Sequence, residues 1–174
     1  DNYSSRPSAL VTTGVDTGGL NGGVPPPSGG GNTCVDETMD LLLSQEDMEW
    51  VTLRDAEAGI TIESGTEKKN VVWHYVNGMT SQYYDVALSH GLVVPCSPSH
   101  TFIRSFEDGC GVNISQINVG DELQAGDENG NYKVTVVSIT RRYDTLLVRA
   151  VKVRRGNNLY YAVGDRATGK FVYC

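Results

Sequence analysis

The side chains best suited to covalent chemistry are a cysteine and a histidine that lie far apart in the sequence. Cys34 stands where a Gly/Pro-rich leader gives way to an ordinary globular sequence. His100 closes the segment Ser97-Pro98-Ser99-His100, which follows the apolar run 92–94. A cysteine thiolate is a strong nucleophile, and histidine is the usual proton-transfer group near neutral pH. Because folding commonly brings such distant residues together, we hypothesise a nucleophilic Cys34 served by His100.

The alternative interpretation of these residues is structural. In that case Cys34 is a buried cysteine and His100 a strand-end histidine that never touch, since short motifs often occur by chance. The other two histidines also have simple interpretations. His74 shares a predicted strand face with Val72 and Val76, which favours a packing role, and His90 lies in a Ser-His-Gly turn, where we expect it to be solvated.

Length, charge and hydropathy exclude several classes of function. The chain has 174 residues, enough for one domain and an appendage, with a net charge of -7. No basic stripe is present, which argues against nucleic acid or an anionic membrane as a partner. No apolar run approaches the roughly 20 residues that span a bilayer, and no signal peptide opens the chain. The first residue is Asp1 rather than Met, so we expect a fragment, a processed product or a trimmed form of a longer protein.

The cysteine spacing argues against a metal site. No C-x-x-C pair occurs among the four cysteines, which are Cys34, Cys96, Cys110 and Cys174. A domain of this size does not need disulfide bonds for its stability, and we expect the cysteines to be reduced. A P-loop and a Gly-rich dinucleotide motif are also missing from the sequence, so we predict neither a metal nor a cofactor.

Residues 1–33 have the composition of a linker. Pro25-Pro26-Pro27 is expected to adopt polyproline II, and the glycines at 29–31 make a flexible spacer. The high Gly and Pro content prevents a core, so regular structure is not expected here. Only Ala9-Leu10-Val11 is apolar enough to pack against another surface. Since such linkers join domains, an upstream domain of the same polypeptide is an expected partner.

Residues 34–174 are predicted to form one all-β domain. Short β-prone runs alternate with turn signals, and helical periodicity is not sustained over three turns. Asn77-Gly78 is a strong hairpin-turn signal between two such runs. Single helical turns are expected at residues 44–47, 53–58 and 113–119.

Taken in order, these residues resemble the Hint family, the self-processing fold of inteins and of the hedgehog C-terminal domain. Cys34 with Thr38 is similar to the first intein block, and Ser97-Pro98-Ser99-His100 to the Thr-x-x-His block, with serine in place of threonine. Residues 117–123 resemble the Gly-Asp turn of the family. Residues 148–164 resemble its penultimate block, with residues 160–164 in the place of its aromatic strand and glycine. The resemblance implies a minimal domain, without an endonuclease, that folds as a pseudo-two-fold horseshoe of short strands.

A closer resemblance is to the intein-like domains that follow Pro/Gly-rich linkers at the C-termini of bacteriophage tail-tip proteins. The Pro and Gly run before Cys34 is similar to that junction, as is Cys96-Ser97 just before the histidine. The resemblance implies other phage tail proteins as partners. It also implies a location in the virion, or in the host cytoplasm during assembly.

Two departures from the family limit the implied activity. Splicing inteins end in His-Asn, whereas this chain ends with residues 171–174, and Ala150 occupies the place of an aspartate in the penultimate block. The resemblance therefore implies only the first step, an N–S acyl shift in which Cys34 attacks the carbonyl of Thr33 at the scissile Thr33-Cys34 bond. His100 would be the acid and Ser97 a hydrogen-bond donor or orienter. Water or a thiol would then complete N-terminal cleavage without splicing.

Two other interpretations stay open. A catalytically silent Hint scaffold could serve as a structural or docking domain of a phage tail. The missing His-Asn and Ala150 favour this interpretation, and the intact Cys34, Ser97 and His100 oppose it. A β-rich adhesion module unrelated to Hint is the third interpretation, since fold does not fix function. Thiol-dependent cleavage separates the first interpretation from the others, and a pseudo-two-fold repeat separates the second from the third.

Overall fold

The computed structural model describes residues 34–107, 109, 111–154 and 158–174. The predicted linker at 1–33, which includes Thr33 of the scissile bond, lies outside these residues, and so does Cys110. Among the described residues, no helix is long and apolar enough to cross a membrane. Strands and two short 3-10 helices make up the regular structure, which confirms the all-β prediction.

The domain consists of two halves with the same order of elements and a final hairpin. The first half contains β1 (Val35–Asp36), β2 (Asp40–Ser44), β3 (Glu49–Thr52), a 3-10 helix (Leu53–Asp55), β4 (Thr61–Ile62), β5 (Asn70–Thr80) and β6 (Tyr83–Leu88). The second half contains β7 (Val93–Cys96), β8 (Thr101–Ile103), β9 (Gly111–Asn113), a 3-10 helix (Ile114–Gln116), β10 (Glu122–Asp127), β11 (Gly130–Arg142) and β12 (Leu146–Val153). The hairpin contains β13 (Ala162–Asp165) and β14 (Lys170–Tyr173).

The same turn follows the 3-10 helix in each half. Gly59 has φ 89° and Gly120 has φ 96°, a backbone conformation that favours glycine. The amide of Gly59 donates to the carbonyl of Val72 on β5, and the amide of Gly120 donates to that of Val136 on β11, both at 2.8 Å. The two 3-10 helices themselves confirm the single helical turns predicted within 53–58 and 113–119. The third predicted site, 44–47, is a turn that joins β2 to β3.

Strand pairing relates the halves by an approximate two-fold axis. β5 of the first half pairs with β12 of the second, and β11 pairs with β6 in the same way. Likewise β1 pairs with β12, and β7 pairs with β6. Exchanging the halves therefore leaves the pairing pattern unchanged. The first strands of the two halves pair with each other at Val35 and Cys96, so the axis passes close to this β1–β7 contact.

Twelve of the described strands form one curled sheet, in the order β3-β2-β13-β14-β10-β11-β6-β7-β1-β12-β5-β4. Its curl makes a half-barrel, which agrees with the predicted horseshoe. The large apolar core contains side chains from both halves, including Val35, Val86, Val94, Cys96 and Val136. A smaller apolar cluster lies elsewhere and consists of Cys34, Val148 and Ala150, with Val76 and Leu146 packed against it.

Two local predictions were wrong. Asn77-Gly78 is not a hairpin turn but lies inside β5, because β5 stays paired with β12 as far as Thr80 and Leu146. The hairpin turn follows at residues 81–82 instead. His90 is not solvated: the ring is half-buried, and its Nε2 lies 3.1 Å from the carbonyl oxygen of Phe171 on β14.

Candidate active site

Cys34 is held at the approximate two-fold axis by the strand that follows it. Val35 pairs on one side with Arg149 of β12 and on the other with Cys96 of β7. A strand of only two residues is thus fixed along both edges, and the cysteine that precedes it is buried, with 5% of its surface exposed. The backbone of the candidate nucleophile therefore has little freedom.

Ser97 contacts the backbone of Cys34 directly. Its amide donates to the Cys34 carbonyl at 3.1 Å, and its hydroxyl donates to the same oxygen at 3.4 Å. The amide supplies the better contact, because 3.4 Å is long for a hydroxyl hydrogen bond. Both donors act on the carbonyl of Cys34 itself rather than on the preceding one. The predicted role of Ser97, as a hydrogen-bond donor or an orienter, stays a prediction.

His100 closes the turn that begins at Ser97. Its amide donates to the Ser97 carbonyl at 3.0 Å, and its own carbonyl accepts from the amide of Ile114 at 3.1 Å. The imidazole is fully buried and lies edge-on to Phe102, with 4.5 Å between ring centroids. The side-chain amide of Asn113, which also caps the second 3-10 helix, donates to the Ser99 carbonyl within the turn. The backbone thus connects Cys34, Ser97 and His100, and contact between the Cys34 sulfur and the His100 ring stays a prediction.

The two-fold relation shows what distinguishes the second half of the domain. In the first half, the amide of Leu53 donates to the carbonyl of Met39, just as the amide of Ile114 donates to that of His100. Met39 therefore occupies the position of the histidine in the first half. Of these two equivalent positions, only the one in the second half carries an ionisable side chain, the buried imidazole of His100.

Ala150 lies beside the candidate nucleophile. The β1–β12 register, Val35 with Arg149, places Cys34 opposite Ala150, and the two residues pack in the same apolar cluster. Ala150 is fully buried. The position where the family resemblance calls for an aspartate is therefore in direct reach of Cys34, and here it contributes only a methyl group.

Lys152 belongs to the same face of β12, and no motif in the sequence points to it. Alternate residues of a strand share a face, so Val148, Ala150 and Lys152 project together, and His74 of β5 pairs with Lys152. Lys152 is half-buried. Burial lowers the pKa of its ammonium group, and Cys34 acts in the opposite direction. The signal that could have revealed this lysine is its place two residues after Ala150 in a β-prone run.

His74 faces a different environment from the one predicted. It shares a face with Val76, as expected, but not with Val72, because the pairing register shifts between Lys152 and Val153. Val72 projects into the large core, whereas Val76 packs on the small cluster around Cys34. Burial, and secondarily the charge of Lys152, lower the pKa of His74.

The other described cysteines are poor nucleophiles. Cys96 and Cys174 are buried, and burial raises the pKa of each thiol well above its ordinary value. Among the described residues, no disulfide joins Cys34, Cys96 and Cys174 to one another. Within the described part of the chain, no group of three or more His, Cys, Asp or Glu residues could hold a metal ion.

Comparison with solved structures places this architecture among intein folds. An intein-like domain from Clostridium thermocellum matches with a TM-score of 0.63 and 17% identity, covering 82% of this chain and 99% of that one. The TvoVMA intein matches with a TM-score of 0.63 and 19% identity, over 82% of this chain and 98% of the other. The gp41-1 intein matches with a TM-score of 0.60 and 16% identity, over 80% and 96%.

These matches show that the chain has the Hint fold of intein and intein-like domains. No protein-family model matches the sequence. A sequence comparison with curated proteins finds no match either. The resemblance noted from short motifs is thus confirmed at the level of the fold.

Proposed function

We propose that this chain is an intein-like autoprocessing domain that performs an N–S acyl shift at the peptide bond preceding Cys34. The observation that carries the proposal is the position of Cys34 at the two-fold axis. Its carbonyl there accepts hydrogen bonds from Ser97, and the turn from Ser97 ends at the buried His100. These contacts support the proposal because they link the proposed nucleophile, orienter and proton donor through hydrogen bonds of the backbone.

The proposed step exchanges one bond for another. The Cys34 sulfur attacks the carbonyl carbon of Thr33, and the bond from that carbon to the Cys34 nitrogen breaks. The nitrogen departs as an amine only if it receives a proton, which is the role of His100. The product is a thioester at Thr33, and attack by water or an external thiol then releases residues 1–33. Each molecule reacts once, so the domain would be a single-turnover, self-cleaving protein.

Cleavage without splicing is the outcome that this sequence favours. Splicing requires an asparagine that cyclises after a histidine, and the chain contains no His-Asn dipeptide. Ala150 also leaves the neighbourhood of Cys34 without the carboxylate of the family pattern. The thioester is then open only to hydrolysis or to a thiol.

The biological setting that we propose is a bacteriophage tail. Support for it comes from the sequence: the Pro and Gly run before Cys34 and the Cys96-Ser97 pair resemble the junction in tail-tip proteins. Upstream domains of the same polypeptide and other tail proteins would be the partners. The domain would act in the host cytoplasm during assembly or remain in the virion.

The second candidate function is a silent structural or docking domain of the same fold. The apolar packing of Ala150 against Cys34 favours it, because an alanine cannot assist a proton transfer. In that case Cys34 and Ser97 would serve only to join β1 and β7.

The deciding experiment is intact-mass measurement of the 174-residue chain with and without a millimolar small thiol. We expect a thiol-accelerated product that begins at Cys34 and a matching N-terminal fragment that carries the thiol as a thioester. Cys34→Ala should abolish cleavage, whereas the matched change Cys110→Ala should leave its rate unchanged. A chain that stays intact for days in thiol would establish the silent domain.

A further inference from the structure

We propose that Lys152 is the charge partner of Cys34 and that its ammonium group stabilises the Cys34 thiolate before attack. The inference rests on the proposed function, since it concerns the activation of the same nucleophile. It assigns a role to a residue to which the family resemblance gives none.

Strand register places the two side chains on one face of the sheet. β1 and β12 are antiparallel, with Val35 opposite Arg149 and Asp36 opposite Val148. Cys34, one residue upstream, is therefore opposite Ala150, and Lys152 is its diagonal neighbour. Diagonal neighbours on one face are about 7–8 Å apart at their Cα atoms, within reach of a long side chain. The packing of Cys34 with Val148 and Ala150 agrees with this shared face.

His74 and Arg149, the ionisable neighbours of Lys152 on β5 and β12, do not supply a negative charge to it. His74 faces Lys152 from β5, and its pKa is lowered, so it is neutral at and above neutral pH. Arg149 projects to the opposite face, where its guanidinium lies 4.0 Å from the Tyr75 ring centroid and donates to the Ala56 carbonyl. Of the ion pairs formed among the described residues, none includes Lys152.

Groups on the remaining neighbours do not compete for the same charge. Cys96 on β7 belongs to the large core, on the other face from Cys34, and burial keeps its thiol neutral. The Asp36 carboxylate of β1 accepts hydrogen bonds from the amide and hydroxyl of Thr38. A buried charge is costly unless it is paired, and Cys34 is the group that raises the pKa of Lys152. The thiolate and the ammonium group therefore stabilise each other.

The proton balance of activation follows from this pairing. The Cys34 thiol gives its proton to solvent, and the ammonium group of Lys152 stabilises the thiolate that remains. The sulfur lone pair then forms the new bond to the Thr33 carbonyl carbon, the bond from that carbon to the Cys34 nitrogen breaks, and the released nitrogen takes its proton from His100. Exchange with solvent afterwards returns a proton to His100. Lys152 thus acts before the attack and His100 during bond breaking.

The test is a pH titration of the Cys34 thiol by NMR, in the full chain with ¹³Cβ-labelled cysteine. Lys152→Met should move the Cys34 midpoint upward by about 1 pH unit or more, the size expected for loss of a nearby opposite charge. Lys152→Arg should keep it within about half a unit, since the positive charge remains. Lys133→Met removes an exposed lysine from β11 and should leave the midpoint unchanged. A folded Lys152→Met chain with an unaltered midpoint would overturn the inference.

A reciprocal measurement covers the case in which Lys152→Met does not fold. Linkage requires that removing the thiolate lower the pKa of Lys152, so the ¹⁵Nζ midpoint of this lysine should fall in Cys34→Ala. An unchanged lysine midpoint would also overturn the inference. Both titrations are independent of cleavage. A chain that never cleaves but shows the coupling would therefore refute the proposed function and leave the pairing of Lys152 with Cys34 intact. A chain that cleaves but shows no coupling would refute the pairing and leave the proposed function intact.

Discussion

Replacement of His100 separates its chemical role from its packing role. The ring is fully buried and lies edge-on to Phe102 at 4.5 Å, so His100→Ala should leave a cavity. Truncation of a large buried side chain costs about 2–5 kcal/mol. Loss of a general acid slows a reaction by about 10²–10⁴-fold, which is about 2.7–5.4 kcal/mol of barrier. Because the two effects are of similar size, loss of activity in the alanine variant alone decides nothing.

His100→Gln resolves the ambiguity. Glutamine retains most of the volume and can donate a hydrogen bond, but it cannot give up a proton at neutral pH. We expect its free energy of unfolding to lie within about 1.5 kcal/mol of that of the parent chain, as is usual for volume-conserving changes. Its thiol-induced cleavage should still be about 10²–10⁴-fold slower.

The assay combines two measurements on each variant. Urea unfolding gives the free energy of unfolding, and single-turnover cleavage followed by intact mass gives the rate under conditions where the chain is folded. His90→Gln is the matched control, because His90 is also partly buried but contacts the Phe171 carbonyl away from Cys34. A folded His100→Gln chain that cleaves within threefold of the parent would refute the assignment of His100 as the acid.

Three further predictions concern the scaffold. Gly164→Ala should destabilise the domain by about 3 kcal/mol or more, because the added methyl group would overlap the Lys170 carbonyl of the paired strand. Gly78→Ala should cost less than about 1 kcal/mol, and urea unfolding of the two variants measures both values. Arg149→Met should lower the free energy of unfolding by about 2–4 kcal/mol, since two backbone carbonyls near the first 3-10 helix lose a charged hydrogen-bond donor. An unchanged midpoint of urea unfolding would contradict this stabilising role of Arg149. Burial lowers the pKa of His90 below 6.5, so the unfolded state binds more protons and the free energy of unfolding should fall as pH drops below about 6.5. In thermal melts across pH, the melting temperature should depend less steeply on pH in His90→Gln, and an equal dependence would refute the assignment to His90.

Short-range sequence signals determined much of the fold. Alternating β-prone runs separated by glycine turns require strands, and Gly59 and Gly120 mark the turns after the two 3-10 helices because those positions need positive φ. Residue type also singled out Cys34 and His100, since few side chains offer a nucleophile or a proton donor near neutral pH. These features depend on a residue and its immediate neighbours, and the sequence contains that information in full.

Tertiary structure alone decided which residues share a face and which strands meet. Asn77-Gly78 has the composition of a turn, yet eleven residues of β5 stay extended because β12 pairs along most of their length. The register shift beside Lys152 turns Val72 toward the large core and leaves His74 facing the lysine. A one-residue shift reverses every side chain beyond it, and it arises from the partner strand rather than from local composition.

The surroundings of Cys34 were decided in the same way. Cys34 and Ala150 are more than a hundred residues apart, and they lie opposite each other because β1 is held between β7 and β12 at the two-fold axis. In the sequence, Lys152 does not differ from a solvated lysine of an exposed strand. The register of β1 with β12 places it diagonal to Cys34. The large core covers one face of the sheet near β1, and the small cluster around Cys34 covers the other face. Long-range pairing of β1 with β12 thus places Lys152 next to the candidate nucleophile.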